Sequence, residues 1–216
     1  MLSQAMIKHP TSVQARSLTG PIGTIGAIMP SARNSEIYGV HERAKYLYKV
    51  LKGGVRTYKV SEDGRRQISA FYLPGDVFGF EVGDEHTLSA EAIVDCQLLV
   101  IRRTSVATLA TRDSSVARQL WAMTAAELQR AQNHVMLLIM NAQERVAWFL
   151  LEMSNRSSSD EINLPMSRQD IADYLGLTIE TVSRSLTKLE NAAAIALPSA
   201  RHVVLCNRKA LIGLNS

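Results

Sequence analysis

The chain has 216 residues, 46% apolar and 20% charged, which suits one or two packed domains and excludes wholesale disorder. A net charge of +4 and a pI near 9.2 admit a polyanionic partner without demanding one. The two cysteines, Cys96 and Cys206, exclude a four-thiolate iron–sulfur cluster built by this chain alone, and no Cys/His spacing marks a zinc site. No apolar run reaches the roughly 18 residues of a membrane span. The first thirty residues lack the apolar core of a secretory signal, so a cytoplasmic protein with no membrane partner is expected.

Residues 1–30 are rich in Ser, Thr, Gly and Pro and are expected to form a mobile arm. Its tail, from Thr24 to Met29, is expected to be a short helix. From Glu36 to Arg103 the texture is that of β-structure. Tyr46 to Val50 reads as a strand broken by Lys52-Gly53-Gly54. Val55 to Val60 and Gln67 to Leu73 form a hairpin around Glu62-Asp63-Gly64, because Asp-Gly accepts the positive φ of a tight turn. Pro74-Gly75-Asp76 makes the next turn, and Val77 to Phe80, Ala90 to Val94 and Gln97 to Arg102 are further strands. Short strands punctuated by glycine predict a β-barrel or sandwich, set at residues 31–112.

From Arg103 the texture is helical. Ala117, Trp121, Thr124, Leu128, Ala131, Val135, Leu138 and Ala142 recur in alternating steps of four and three, a heptad seam. A helix with so narrow a stripe either packs on its own barrel or pairs with its twin. A second strip, Leu120, Met123, Leu137 and Met140, allows both on different faces. Residues 113–140 are therefore set as a dimerisation helix. A further amphipathic helix from Asn141 ends near Met153, and Asn155 to Glu161 reads as a polar loop.

The stretch from Met166 to Glu190 reads as a helix-turn-helix. Ser167, with Asp170 three residues on, makes a capping-box-like start. Ile171, Ala172 and Leu175 give one apolar face, and Gly176 admits the sharp turn. Thr178 caps a second helix whose buried stripe is Ile179, Val182, Leu186 and Leu189. Its other face carries Glu180, Thr181, Ser183, Arg184, Thr187 and Lys188, the residue types that read base edges in a major groove. An ordinary amphipathic hairpin with a solvated face gives the same local pattern. Ile195 to Leu205, around Pro198-Ser199-Ala200, reads as a small hairpin, or wing, and Asn207 to Leu214 as a terminal turn of helix. The whole, with a winged helix-turn-helix at 141–216, is an α+β chain. No Gly-rich phosphate loop or catalytic constellation suggests an enzyme.

Three motifs then carry a resemblance over roughly residues 36–210: Gly75-Asp76-Val77-Phe78-Gly79, Glu144-Arg145-Val146-Ala147, and Glu180-Thr181-Val182-Ser183-Arg184. The chain resembles the CRP/FNR family of bacterial transcription regulators, and within it the FixK type of microaerobic and nitrogen-fixation regulators. The resemblance implies a cyclic-nucleotide-binding-like barrel and a homodimer that binds double-stranded DNA at a TTGAT-N4-ATCAA palindrome. A regulator of this kind is expected to act chiefly as an activator through RNA polymerase; no motif marks the contact surface, and the exposed barrel turns near Glu62-Asp63 and Glu81 to Glu85 are the candidates. Glu180, Ser183 and Arg184 would read bases. Ser167, Arg168, Thr178, Thr181, Lys188 and Arg201 would meet the DNA backbone, the cations being otherwise solvated surface charge.

The chain also departs from the family. Where cyclic-nucleotide-binding relatives hold ribose with a Glu and phosphate with an Arg-Ser pair, this sequence has Phe80, with Glu81 one residue late, and His86-Thr87. A cyclic phosphate without its arginine loses its charge-assisted bonds. No cyclic nucleotide, iron–sulfur cluster or other cofactor is therefore expected; His86 and His134 are the histidines through which a haem would have to be held. A thiol at position 183 would be oxidisable beside DNA, and Ser183 is inert in that respect. The alternative is an effector-dependent regulator whose barrel binds an unidentified small molecule.

Overall fold

A computed structural model describes residues 26–214; the expected mobile arm up to Ile25, including Thr24, lies outside them. The described chain forms two compact units, residues 26–133 and 134–214, and the division falls inside the segment set as a dimerisation helix. Among the described residues no helix is long and apolar enough to cross a membrane.

The first unit begins with a correction. Ala27–Ser31 is a strand (β1), not the tail of a short helix. It pairs antiparallel with a strand about seventy residues later in the chain, Ala27 facing Val100 and Ser31 facing Cys96. An isolated turn of helix is too short to be stable alone, so the available ladder wins. Pro30 is tolerated because β1 is an edge. There follow β2 (Glu36–Tyr38), β3 (Tyr46–Lys52), β4 (Val55–Val60), β5 (Arg66–Tyr72), β6 (Val77–Phe78), β7 (Ser89–Ala92) and β8 (Cys96–Arg102). They make two four-stranded sheets, ordered β1-β8-β3-β6 and β2-β7-β4-β5. The β4–β5 hairpin turns where Asp63-Gly64 places it, with Gly64 at φ 81°.

The interior of this barrel is filled with rings. Phe78 is fully buried and stacks with Tyr48 at 5.2 Å and Tyr72 at 4.9 Å between centroids. Tyr38 stacks on the buried His86 at 3.5 Å. Two helices follow, α1 (Arg103–Arg112) and α2 (Ser114–Met136). Val116 and Met123 of α2 are buried with Leu47, Val77, Leu99 and Ile101, and Leu120 packs against them. Glu127 accepts a hydrogen bond from the Tyr72 hydroxyl. Arg130 pairs with Glu127 and Asp76 and lies over the Tyr72 ring. The seam residues turn the other way. Trp121, Leu128, Val135 and Leu138 are 78%, 60%, 60% and 73% exposed, and Thr124 and Ala131 are exposed with them.

The second unit continues from the last turn of α2 through a 3₁₀ turn at Leu137–Ile139 into α3 (Ala142–Ser157), whose start is closed by a capping box of Asn141 and Glu144. Then come β9 (Glu161–Asn163), α4 (Arg168–Leu175), α5 (Ile179–Asn191), β10 (Ile195–Ser199), β11 (His202–Leu205) and α6 (Arg208–Gly213). Two boundaries correct the sequence reading. Helix α3 runs beyond Met153 to Ser157, ending on Ser158 in the left-handed region. The expected polar loop is thus half helix, and its last residue, Glu161, opens β9. That strand buries Ile162 and pairs with β11, making the wing sheet three-stranded, ordered β10-β11-β9.

Gly53 shows how closely the barrel is drawn. It sits at φ 91°, and a Cβ there would stand 2.5 Å from the Asp95 carbonyl oxygen and 2.8 Å from the Cys96 sulfur. Gly53→Ala is expected to lower stability by about 1–3 kcal/mol, measured by urea unfolding; an unchanged midpoint would show that this turn relaxes freely.

Candidate nucleic-acid interface

Both helices of the turn are held at their ends. The Ser167 hydroxyl accepts from the Asp170 amide at 3.1 Å and donates to the Asp170 carboxylate at 2.8 Å, and that carboxylate accepts from the Ser167 amide at 3.0 Å. Two of the amides an α-helix leaves unpaired at its start are met this way. Ile171, Ala172 and Leu175 are buried as the spacing predicts, with Tyr174 beside them. Gly176 ends α4 at φ 64°, and the Leu177 amide donates back to the Ala172 carbonyl at 3.0 Å. Thr178 caps α5, accepting from the Thr181 amide at 3.2 Å.

Helix α5 packs against α3 and α4. Val182, Leu186 and Leu189 are buried, but Ile179 is 37% exposed, so the predicted stripe is corrected at its first member. Ile179 lies in the opening turn, before the first buried residue, Val182, and the buried Ser185 widens the stripe beside Leu186. Glu180, Arg184, Thr187 and Lys188 are exposed, while Thr181 and Ser183 are half-buried. The Glu180 carboxyl is held below its ordinary range by its own backbone amide, then by the Thr178 hydroxyl and the Arg184 charge.

The expected contact residues differ in how free they are. Ser183 accepts from Arg168 Nη1 at 3.2 Å, which brings a supposed base reader and a supposed phosphate contact together. Arg168 Nε is buried without a hydrogen-bond partner. The Ser167 and Thr178 hydroxyls serve as helix caps, and Thr181 Oγ1 lies 3.1 Å from Thr178 Oγ1. Arg201, at the wing turn, donates to the Pro165 carbonyl at 3.3 Å. His202 Nε2 lies 2.8 Å from the Glu161 carboxylate. Arg145, which in the sequence is only part of a motif, donates to the carbonyl that ends α4. The burial of Ser185 and the contact of His134 with Tyr174 depend on packing between helices and carry no sequence signal.

Residues 144–214 match the family model of the Crp-like helix-turn-helix domain, and residues 31–113 that of the cyclic nucleotide-binding domain. The nitrogen fixation regulation protein FixK of Azorhizobium caulinodans is 50% identical over 202 residues, covering 90% of this chain and 82% of that protein. FixK of Rhizobium meliloti is 42% identical over 181 residues, covering 83% and 82%. The solved structure of FixK2 from Bradyrhizobium japonicum superposes with a TM-score of 0.86 at 49% identity, covering 89% of this chain and 98% of that one. The chain belongs to the CRP/FNR family of transcription regulators. Within that family it is of the FixK type: a regulator with a DNA-binding helix-turn-helix, not an enzyme.

The match to a cyclic nucleotide-binding domain poses a test of fit. Glu81 accepts from the Thr87 amide at 3.1 Å and from its hydroxyl, and lies 3.5 Å from His86 Nδ1. The nearby Arg103 donates its guanidinium to the carbonyls of Ala44, Gly83 and Glu81. At the positions aligned with the phosphate-holding Arg-Ser pair stand His86 and Thr87, both engaged by the Glu81 carboxylate, and rings fill the barrel interior. These residues do not fit a cyclic nucleotide.

Ser167→Ala removes the cap of α4 and strips the buried Asp170 of a donor. It is expected to cost about 1–2 kcal/mol in urea unfolding; a loss within error would mean that the cap is replaceable by water.

Proposed function

We propose that this chain is a homodimeric activator that reads an FNR-box-like palindrome, TTGAT-N4-ATCAA, at genes of microaerobic metabolism and nitrogen fixation. It does so without a cyclic nucleotide or iron–sulfur cofactor and recruits RNA polymerase. The observation that carries this reading is the exposed pair Glu180 and Arg184 on the first turns of α5. Arg184 is suited to donate bidentately to guanine O6 and N7, and the ionised Glu180 to accept from cytosine N4 or adenine N6. Ser183 stands between them with Arg168 on its hydroxyl, so it contributes to base reading and to a phosphate contact together. The positive ends of α4 and α5, at Ser167 and Thr178, with Thr181, Lys188 and Arg201, meet the backbone. Its DNA target places its work in the cytoplasm.

Within the segment 113–140, helix α2 and the 3₁₀ turn that follows it serve for dimerisation. An apolar seam exposed at Trp121, Leu128, Val135 and Leu138 is unusual for a solvated helix, and a twin copy buries it. Two recognition helices then read half-sites about one DNA turn, ~34 Å, apart. The relatives named for nitrogen fixation support the choice of target genes.

Selection of binding sites from random DNA by the purified chain, with no additive and at stated salt, tests the reading. The palindrome should emerge. Arg184→Ala should lose about 1–3 kcal/mol and relax one base pair per half-site, whereas Lys188→Ala should weaken all sequences alike and lower the salt slope. Selection that succeeds only with added cell extract would favour the effector-dependent alternative. Leu128→Glu is expected to give monomers by sedimentation, with operator affinity far below that of the parent; a dimer of normal affinity removes the seam from the reading.

A further inference from the structure

The end of α4 is gripped from three sides. The Leu175 carbonyl is one of the acceptors a helix leaves unpaired at its C-terminus. Arg145 Nη1 donates to it at 2.9 Å, and Arg145 Nε donates to the Met140 carbonyl at 3.0 Å. Met140 closes the 3₁₀ turn and is extended, with ψ 146°, so it is the point where the path from α2 to α3 leaves helical geometry. One residue before Leu175, Tyr174 takes the His134 ring edge-on at 4.5 Å and lies 5.9 Å from Phe149. His134 is in the last turn of α2, Met140 in the joint, and Arg145 and Phe149 on α3. Helix α5 begins three residues beyond Gly176, at Ile179.

We infer that Arg145 is a positioning residue that sets the spacing between the two half-sites. Its planar guanidinium joins the α2–α3 joint to the end of α4, and so holds α5 at a fixed attitude to the end of the dimer helix. The inference rests on the homodimer reading above and deepens it. In a two-fold dimer the separation of the recognition helices depends on the connections that lead from the last seam residues, Val135 and Leu138, to α5 within the second unit. The joint at Met140 is the connection without an unbroken helical ladder. A guanidinium reaches both carbonyls at once because its donors lie in one plane, and an ammonium offers a single point. Arg145 faces carbonyls and not the exposed side of α5, so its loss leaves the base-reading groups in place.

The test uses the full chain on operators with identical half-sites separated by three to six base pairs, with affinities measured at one salt concentration. The parent should favour one spacer strongly. Arg145→Gln should remain a dimer with the same ranking of half-site base variants, while its discrimination between spacers falls by about tenfold or more, the size of a lost hydrogen bond to a charged group. Arg145→Lys, which keeps the charge and the stem, should show the same loss and supplies the readout if Arg145→Gln unfolds. Equal weakening on every spacer, or a changed base ranking, overturns the clamp alone. A parent chain that binds single half-sites as tightly as paired ones overturns the dimer reading and the clamp with it.

Discussion

The geometry of the reading head depends on how the unpaired backbone groups at two helix ends are met within a few residues. Helix α4 stops at Leu175 and α5 starts at Ile179, so three residues separate a carbonyl-rich end from an amide-rich end. Gly176 in the left-handed region turns the chain, Thr178 takes one amide of α5, that of Thr181, and Arg145 takes a carbonyl of α4 from outside the motif. Were any of these ends left open, desolvation would favour a longer, looser connection and the angle between the helices would no longer be specified.

The caps and the Asp-Gly hairpin were legible in the sequence because their partners lie within three residues. Ser167 with Asp170, Thr178 with Thr181, and Gly64 are local chemistry, and the heptad seam is a local period. Strands β1 and β9 were hidden for the opposite reason. Ala27–Ser31 becomes a strand only because β8 offers a ladder, and Glu161–Asn163 only because β11 does; neither is long enough to show alternation. Ile179 carried the right residue type at the right spacing, yet it precedes the first buried residue of α5, Val182. The bond from Arg168 to Ser183 joins two helices across the turn, and no spacing rule forecasts which polar side chains will meet there. The family motifs are silent on which hydroxyls of the candidate interface are already engaged.

The barrel keeps a family fold while its interior serves another end. Tyr48, Tyr72 and Phe78 stack in the middle, and α2 is tied to them by Glu127 and Arg130 on Tyr72. Polar groups of the barrel are bound to one another, as Glu81 is to Thr87. The helix is thereby fixed on its barrel face by the chain itself, leaving the opposite face as the one available for a partner.

The strengthened acidity of the Glu180 carboxyl has an informational consequence. An ionised carboxylate has four lone-pair sites and no proton to give. Since its own amide, Thr178 and Arg184 keep it ionised further into the acid range than an ordinary glutamate, it remains an acceptor when the surroundings acidify. A neutral carboxyl could donate to a thymine or guanine oxygen and so blur two letters into the set it tolerates. In its proposed place at a base edge, an ionised Glu180 would accept from a base amino group and give no proton to those oxygens.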